Sequence, residues 1–245
     1  MGKKTMGFLT LALSAALALA GCGQKESGTK PADSALQGGE ATFAEASPTA
    51  GSPETTEGEA ETEGNAMLPG YVAFENYTDG LRFQYPETWL LADGQEFSQE
   101  ETEQLAELGI DPSLLSLSMD MTSAYLYDLD DGDEKFMPNL NYNVQSAPGL
   151  TPSALVSDAT ISQLTEEFAE QFEAYFAGFS WVTPPEKRSY GGNDYVFFVS
   201  AYDLDGDRVL ANQAMAVHEN QMFTFTYTTV EGRDASVFET VLSTV

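Results

Sequence analysis

Cysteine and histidine each occur once in this chain, as Cys22 and His218. A single thiol excludes an intrachain disulfide, so the fold must be held by its core. One thiol and one imidazole also exclude a zinc site built from several Cys and His ligands. His218 has no nucleophile beside it in sequence and makes no catalytic set. It sits between two alternating runs, where an exposed hairpin turn is expected. Basic residues are scarce too. Ten Lys and Arg stand against 39 Asp and Glu, a formal net charge of −29. This excludes nucleic acid as a partner, whose affinity rests on cations that neutralise phosphates. An anionic bilayer repels such a surface as well. The longest apolar run falls short of the ~20 residues of a membrane span. A Gly-rich phosphate loop, a dinucleotide fingerprint and internal repeats are all missing. The chain calls for no cofactor, and the plain reading of its acidity is solubility.

What is present begins at the N-terminus. Lys3 and Lys4 give a basic start, and Phe8 to Ala20 is an apolar run rich in Leu and Ala. With the small-residue exit Leu19-Ala20-Gly21-Cys22, this is a secretory signal. That exit resembles the lipobox of bacterial lipoproteins. The resemblance implies cleavage between Gly21 and Cys22, removal of residues 1–21, and a diacylglyceryl group on the Cys22 thiol. The alternative is an ordinary signal peptide with a coincidental Cys, which leaves the only thiol of the chain without a role. Removing Lys3 and Lys4 takes the basic residues from ten to eight against 39 acidic ones, a net charge of −31. The expected location is the extracytoplasmic face of the cell membrane. The expected partners are the membrane, through the Cys22 lipid, and a protein at the cell envelope.

Residues 22–66 change regime. They are built from Gly, Ser, Thr, Ala, Pro and Glu, and Phe43 is their only aromatic residue. Such a segment buries too little apolar surface to offset its ordering entropy and is predicted to be disordered. A coil of about 44 residues spans roughly 35–40 Å, a spacer that lifts the rest of the chain off the membrane. The acidic run Glu54 to Glu63 is expected to be solvated and extended.

Residues 67–245 are expected to form one globular domain. Tyr71–Asn76 and Leu81–Tyr85 read as strands about a Tyr77-Thr78-Asp79-Gly80 turn, with Leu81, Phe83 and Tyr85 on a buried face and Arg82 and Gln84 on a polar one. Pro86 stops the run and Trp89 restarts it. Ser98 and Glu101 make a capping box for a helix to Leu108, and Asp111-Pro112 caps a short one through Leu115; together they form an insert over 98–117. Ser123–Leu129 and Asn139–Ser146 read as strands. Thr151 as N-cap and Pro152 open a helix predicted to run to Ala177, with Ile161, Leu164, Phe168, Phe172 and Tyr175/Phe176 on its core face. Phe179–Thr183 is expected as a strand ending at Pro184-Pro185. Gly191–Asp194 is a turn before a meander of Tyr195–Tyr202, Arg208–Val217 and Met222–Thr229. In its last strand Phe223, Phe225 and Tyr227 alternate with Thr224, Thr226 and Thr228, giving one buried and one polar face. Asp234 is expected to cap a final helix.

The run Gly80-Leu81-Arg82-Phe83-Gln84-Tyr85-Pro86-Glu87-Thr88-Trp89 resembles the opening of PsbP-like domains. The order of elements after it is similar too: the Asn143-Val144 strand, a long helix, a three-strand meander and a closing helix with the late Ser243. The resemblance spans Tyr71 to Val245. It implies an α+β fold in which an antiparallel sheet is flanked by helices. PsbP-like domains include extrinsic subunits of the photosynthetic oxygen-evolving complex, a Ran-binding protein and bacterial lipoproteins without assigned activity, so the fold does not name a function.

Two acidic loops are candidates for calcium: Asp128 and Asp130 in one, Asp203, Asp205 and Asp207 in the other. A weak extracellular site has Kd ~10⁻⁴–10⁻³ M. Neither loop matches the helix–loop–helix spacing, since counting from Asp203 places Arg208 at position six and Ala214 at position twelve. A solvated acidic hairpin tip is the preferred reading. The functional reading is a membrane-anchored extracytoplasmic lipoprotein whose domain is a non-catalytic binding or accessory module. The rival is a carboxylate-dependent hydrolase at the cell envelope. The chain has no basic patch, so stable anchoring requires the lipid. Replacing Cys22→Ala is expected to move the protein from the membrane fraction to the soluble fraction or the medium. Retention in the membrane fraction would refute lipid anchoring.

Overall fold

The structure, a computed structural model, describes residues 66–92, 124–132, 136–204 and 206–245. Gly21, Cys22, the spacer up to residue 65, the insert 98–117 and Asp205 lie outside the described residues. Among the described residues nine strands and three helices follow in order: β1 (Tyr71–Asn76), β2 (Leu81–Pro86), β3 (Trp89–Ala92), β4 (Ala124–Asp128), β5 (Asn139–Ser146), α1 (Pro152–Leu155), α2 (Asp158–Tyr175), β6 (Ser180–Tyr190), β7 (Asn193–Leu204), β8 (Asp207–His218), β9 (Gln221–Val230) and α3 (Ser236–Leu242). The architecture is α+β, an antiparallel sheet flanked by helices, as expected. Seven strands form the main sheet in the order β3-β4-β5-β9-β8-β7-β6, every neighbouring pair antiparallel. β1 and β2 pair only with each other. The predicted single sheet therefore divides: Leu81, Phe83 and Tyr85 stand on a separate hairpin laid over the main sheet.

One face of the main sheet meets that hairpin and α3. Phe83 of β2 sits edge-on to Phe225 of β9 and to Tyr142 of β5, at 6.1 and 6.2 Å between ring centroids. Trp89 stacks on Tyr227 at 5.8 Å, and Tyr227 stacks in turn on Phe238 of α3 at 6.1 Å. Beyond α3, the Thr244 hydroxyl accepts from the Gln84 backbone N–H, and Asn193 donates to the Val245 carbonyl. Gln84, expected on a polar face, is buried and accepts from Leu68 N–H at 2.7 Å. Asp234 precedes α3 and accepts from the backbone N–H of Ser236. Gly191 turns β6 into β7 at φ +58°, and a Cβ there would fall 2.5 Å from the Ser243 carbonyl oxygen. Glycine is required both by the turn and by that close approach.

The other face carries the helices. The predicted helix over Pro152–Ala177 is two helices. Thr151 caps α1 by accepting from Ala154 N–H. One turn later Ser157 caps α2 by accepting from Thr160 N–H, and the chain restarts in a new direction. Ser157, between Val156 and Asp158, reads as helix interior until its side chain takes an N-cap bond. Leu164, Phe168 and Phe172 are buried as expected, whereas Tyr175 is exposed. Phe168 meets Phe198 of β7 at 5.3 Å, and Phe172 meets Trp181 of β6 at 6.0 Å. The helix thus packs on the face opposite to Phe197, Val199, Phe223, Phe225 and Tyr227, not on the face that carries them.

β6 does not end at its prolines. It runs through Pro184 and Pro185 to Tyr190, with register shifts at Trp181/Thr183 and at Thr183/Glu186. Proline lacks the donor an interior strand needs, but β6 is an edge strand and a bulge absorbs the pair. At the other end of the meander, Glu219 and Asn220 hold positive φ of 47° and 67°, the left-handed pair of a tight hairpin. Phe168 fills the α2–sheet contact. Phe168→Ala is expected to cost ~3–5 kcal/mol in chemical denaturation. A loss under about 1 kcal/mol would place the side chain outside the core.

Candidate functional site

β9 alternates Phe or Tyr with Thr, and β5 alternates Leu, Tyr and Val with Asn and Gln. Both faces of β9, and most of both faces of β5, are buried. The expected polar face of Thr224, Thr226 and Thr228 is buried, as are Asn141 and Asn143 on β5 and Gln213 on β8. Alternation reports two faces but not which of them meets water.

The register arranges these side chains in three rows. Thr224 lies between Asn143 and Met215, Thr226 between Asn141 and Gln213, and Thr228 between Asn139 and Ala211. β4 continues two of the rows, Tyr125 beside Asn141 and Tyr127 beside Asn139. Its two rings stack at 5.9 Å with 12° between planes and form a wall along one side. Phe198, under α2, closes the other side next to Gln213. The result is an uncharged polar floor on the helix-bearing face of the sheet, roughly 14 Å by 14 Å from strand spacing and rise.

Few of these groups satisfy one another. Gln213 donates from Nε2 to Thr226 Oγ1 at 3.3 Å. Asn141 is fully buried, and both its Oδ1 and its Nδ2 lack a hydrogen-bond partner within the protein. The same holds for Asn143 Nδ2, Gln213 Oε1 and Thr228 Oγ1, the last two on side chains only 1% exposed. A buried polar atom without a partner costs ~1–3 kcal/mol. Five in one patch are comparable with the ~5–15 kcal/mol that hold a whole domain together. Packing alone does not account for such a concentration.

The acidic candidates lie elsewhere and are not brought together. Asp128 ends β4 with its Oδ1 accepting from the backbone N–H groups of Asp130 and Asp131, both at 3.1 Å. Burial pushes its carboxyl above the ordinary range, against those two bonds, which favour the charged form. Arg233 donates to the Asp131 carbonyl. Asp203, at the far tip of β7, pairs with Arg208 at 2.9 Å, while the same guanidinium donates to the Gly178 carbonyl and the Ser180 hydroxyl. Asp207 opens β8 opposite Leu204. Among the described residues no three His, Cys, Asp or Glu side chains converge as a metal site. His218 ends β8, exposed, 3.8 Å from Glu219.

The cations are committed as well. Among the described residues Arg82 pairs with Glu75, Lys187 with Asp194, Arg188 with both Glu186 and Glu239, Arg208 with Asp203, and Arg233 with Asp131. A groove of about 290 Å³ lies between the start of α3 and the β6–β7 edge. Its floor is Phe197 and Val199, and the Arg188 guanidinium lies over the Phe197 ring at 4.0 Å. The carboxylate that lines it, Glu239, pairs with that guanidinium, as does Glu186 on β6. No described helix is long and apolar enough to cross a membrane.

Sequence reasoning missed Asn141, Asn143 and Gln213. The available signal was chemical: Asn139, Asn141, Asn143 and Gln145 alternate without one charged residue, whereas a solvent face of a strand ordinarily carries some.

No protein-family model and no curated protein sequence matches the chain. Among solved structures it is similar to cyanobacterial PsbP (CyanoP) from Synechocystis, at 18% identity over 74% of this chain and 94% of that one, with a TM-score of 0.45. It is also similar to LpqN, involved in cell envelope biogenesis of Mycobacterium tuberculosis, at 10% identity over 65% and 77%, with a TM-score of 0.37. A protein from Bacteroides thetaiotaomicron is 14% identical over 66% of this chain and 42% of its own, with a TM-score of 0.35.

If the floor is retained for something other than folding, removing an unpaired polar atom should help the fold. Thr228→Val keeps the shape and deletes the unpaired hydroxyl. It is expected to raise the unfolding free energy by ~1 kcal/mol or more. A clear loss of stability would show that the hydroxyl has a structural partner.

Proposed function

We propose that this protein is a lipid-anchored, extracytoplasmic PsbP-like binding or accessory module without catalysis of its own, and that its ligand is received on the polar floor of the sheet. The observation that carries the reading is the contiguous set of buried, unpaired and uncharged polar atoms on Asn141, Asn143, Gln213 and Thr228. A site built to hydrogen-bond a ligand carries such groups at the expense of stability. The lipobox at Leu19–Cys22 and the polar spacer after it support a position at the outer face of the membrane. The rival hydrolase would need one carboxylate as acid and another as base or nucleophile across a cleft. The described groove is lined by a single carboxylate, Glu239, which pairs with Arg188, and nothing there favours the rival.

The test is crosslinking in intact cells with the native protein and an Asn141→Leu/Gln213→Leu double variant. Both are expected in the membrane fraction, with an envelope component recovered by the native protein and lost from the folded double variant. Equal recovery by both proteins would overturn the assignment of binding to the floor.

A further inference from the structure

We infer that the corner where α2 passes into β6 is a docking surface for a second protein, one whose contact patch is apolar at its centre and ringed by Lys and Arg. This surface is separate from the polar floor and goes beyond the reading above. Residues 174–182 run Ala-Tyr-Phe-Ala-Gly-Phe-Ser-Trp-Val, without one charged side chain in a chain that is 20% charged. Tyr175 is 59% exposed and Val182 57%, two of the four large apolar side chains left in the open among the described residues. Between them Phe176, Phe179 and Trp181 are half-buried. Their rings gather round Phe172 at 5.9, 5.5 and 6.0 Å, and Phe179 meets Trp181 at 5.0 Å. A single exposed apolar residue is ordinary, whereas a run of them marks a contact surface. Tyr, Trp and Phe without charge is the composition of an interface core, and Trp and Tyr are the side chains that most often carry binding energy.

The corner is fixed before any partner arrives. Asp203 donates its backbone N–H to the Ala177 carbonyl at 2.8 Å. Arg208 donates from Nη1 to the Gly178 carbonyl and from Nη2 to the Ser180 hydroxyl, both at 2.5 Å. Gly178 holds a φ of +65°, and a Cβ there would strike the Asp203 carboxylate. A surface held in this way gives up little entropy on binding.

Charge names the partner. Glu170 and Glu173 are exposed on α2 just before the corner, and Asp203 is exposed on its other side. The nearest cation, Arg208, is spent on Asp203 and on the corner itself, and Lys187 further along β6 is spent on Asp194. A partner that covers these rings meets a rim of carboxylates and needs cations to match them, since like charges opposed across an interface cost affinity. A second copy of this chain would set carboxylate against carboxylate. An anionic bilayer would repel the same rim, which would have to enter the headgroup layer with the rings.

The experiment uses the full chain with Cys22→Ser, so that lipid does not interfere, and follows the Trp181 indole N–H by NMR. The probes are three capped pentapeptides: Lys-Leu-Phe-Leu-Lys, Glu-Leu-Phe-Leu-Glu and Lys-Ser-Gly-Ser-Lys. The first is expected to shift the Trp181 signal and to bind about tenfold or more tightly than either of the others. Its affinity is expected to fall about tenfold between ~50 mM and ~500 mM salt. A similar fall is expected in the Tyr175→Ser/Val182→Ser double variant, checked for folding by thermal melt. Equal affinity for the acidic peptide, equal affinity of the folded double variant, or no binding of the first peptide would overturn the inference. Sedimentation of the protein alone and flotation with phosphatidylcholine–phosphatidylglycerol vesicles test the other occupants. A monomer that stays off the vesicles is expected. Self-association or vesicle binding that the double variant loses would give the corner to a second copy or to a membrane, and would overturn the inference.

Discussion

The ladder between β5 and β9 is the constraint on which everything else rests. In the main sheet it joins β3, β4 and β5 on one side to the β6–β9 meander on the other. Eight residue pairs, from Asn139 with Thr228 to Ser146 with Gln221, fix its register. That register sets Tyr142 beside Phe225 and Leu140 beside Tyr227, which is the ground the β1–β2 hairpin and α3 pack on. The same register sets Asn141 beside Thr226 on the reverse face. A slip of one residue would exchange the two faces, driving Asn and Thr into the aromatic core and bringing Phe and Tyr onto the floor. Core and floor are therefore one decision made by one pairing.

The two faces solve burial in opposite ways. On the hairpin side, aromatic rings meet at 4.8 to 5.8 Å, and the buried Asn212 donates to the Tyr227 carbonyl. On the helix side, α2 supplies the same kind of contact over β6 and β7, while the rows over β5 and β9 hold amides and hydroxyls. Charge is kept to the rims. Asp128 and Asp203 lie toward the same end of the strands, each tied up by its own turn or by an arginine. Among the described residues every cation is paired with a carboxylate, which agrees with the acidity of the whole chain.

Much of the fold is legible in the chain because its signals are local. The bounds of β1 and β5, the Thr151-Pro152 helix start and the aromatic stripe of α2 follow from periodicity and capping. The failures also have physical causes. Ser157 reads as helix interior because nothing in sequence announces that its hydroxyl takes Thr160 N–H. Pro184 and Pro185 read as a strand end because the rule assumes an interior strand. The threonines of β9 read as solvent-facing because alternation cannot distinguish water from a second buried layer. The floor escapes sequence reasoning for that same reason, and its amides become visible as a site only when the pairing of β5, β9 and β8 sets them side by side.

The prolines of β6 bear on how copies of this protein behave in company. A sheet grows into an aggregate by adding strands at its ends. One end here is β3, four residues long. The other is β6, which carries two register shifts, two residues without an N–H donor, and the exposed Lys187. A neighbouring strand that approached β6 would find its template interrupted twice within six residues. Two copies of this acidic chain meet as like-charged bodies, and among the described residues β6 offers no continuous edge to share. Stacking of sheet on sheet edge is blocked at nucleation, before any growth step.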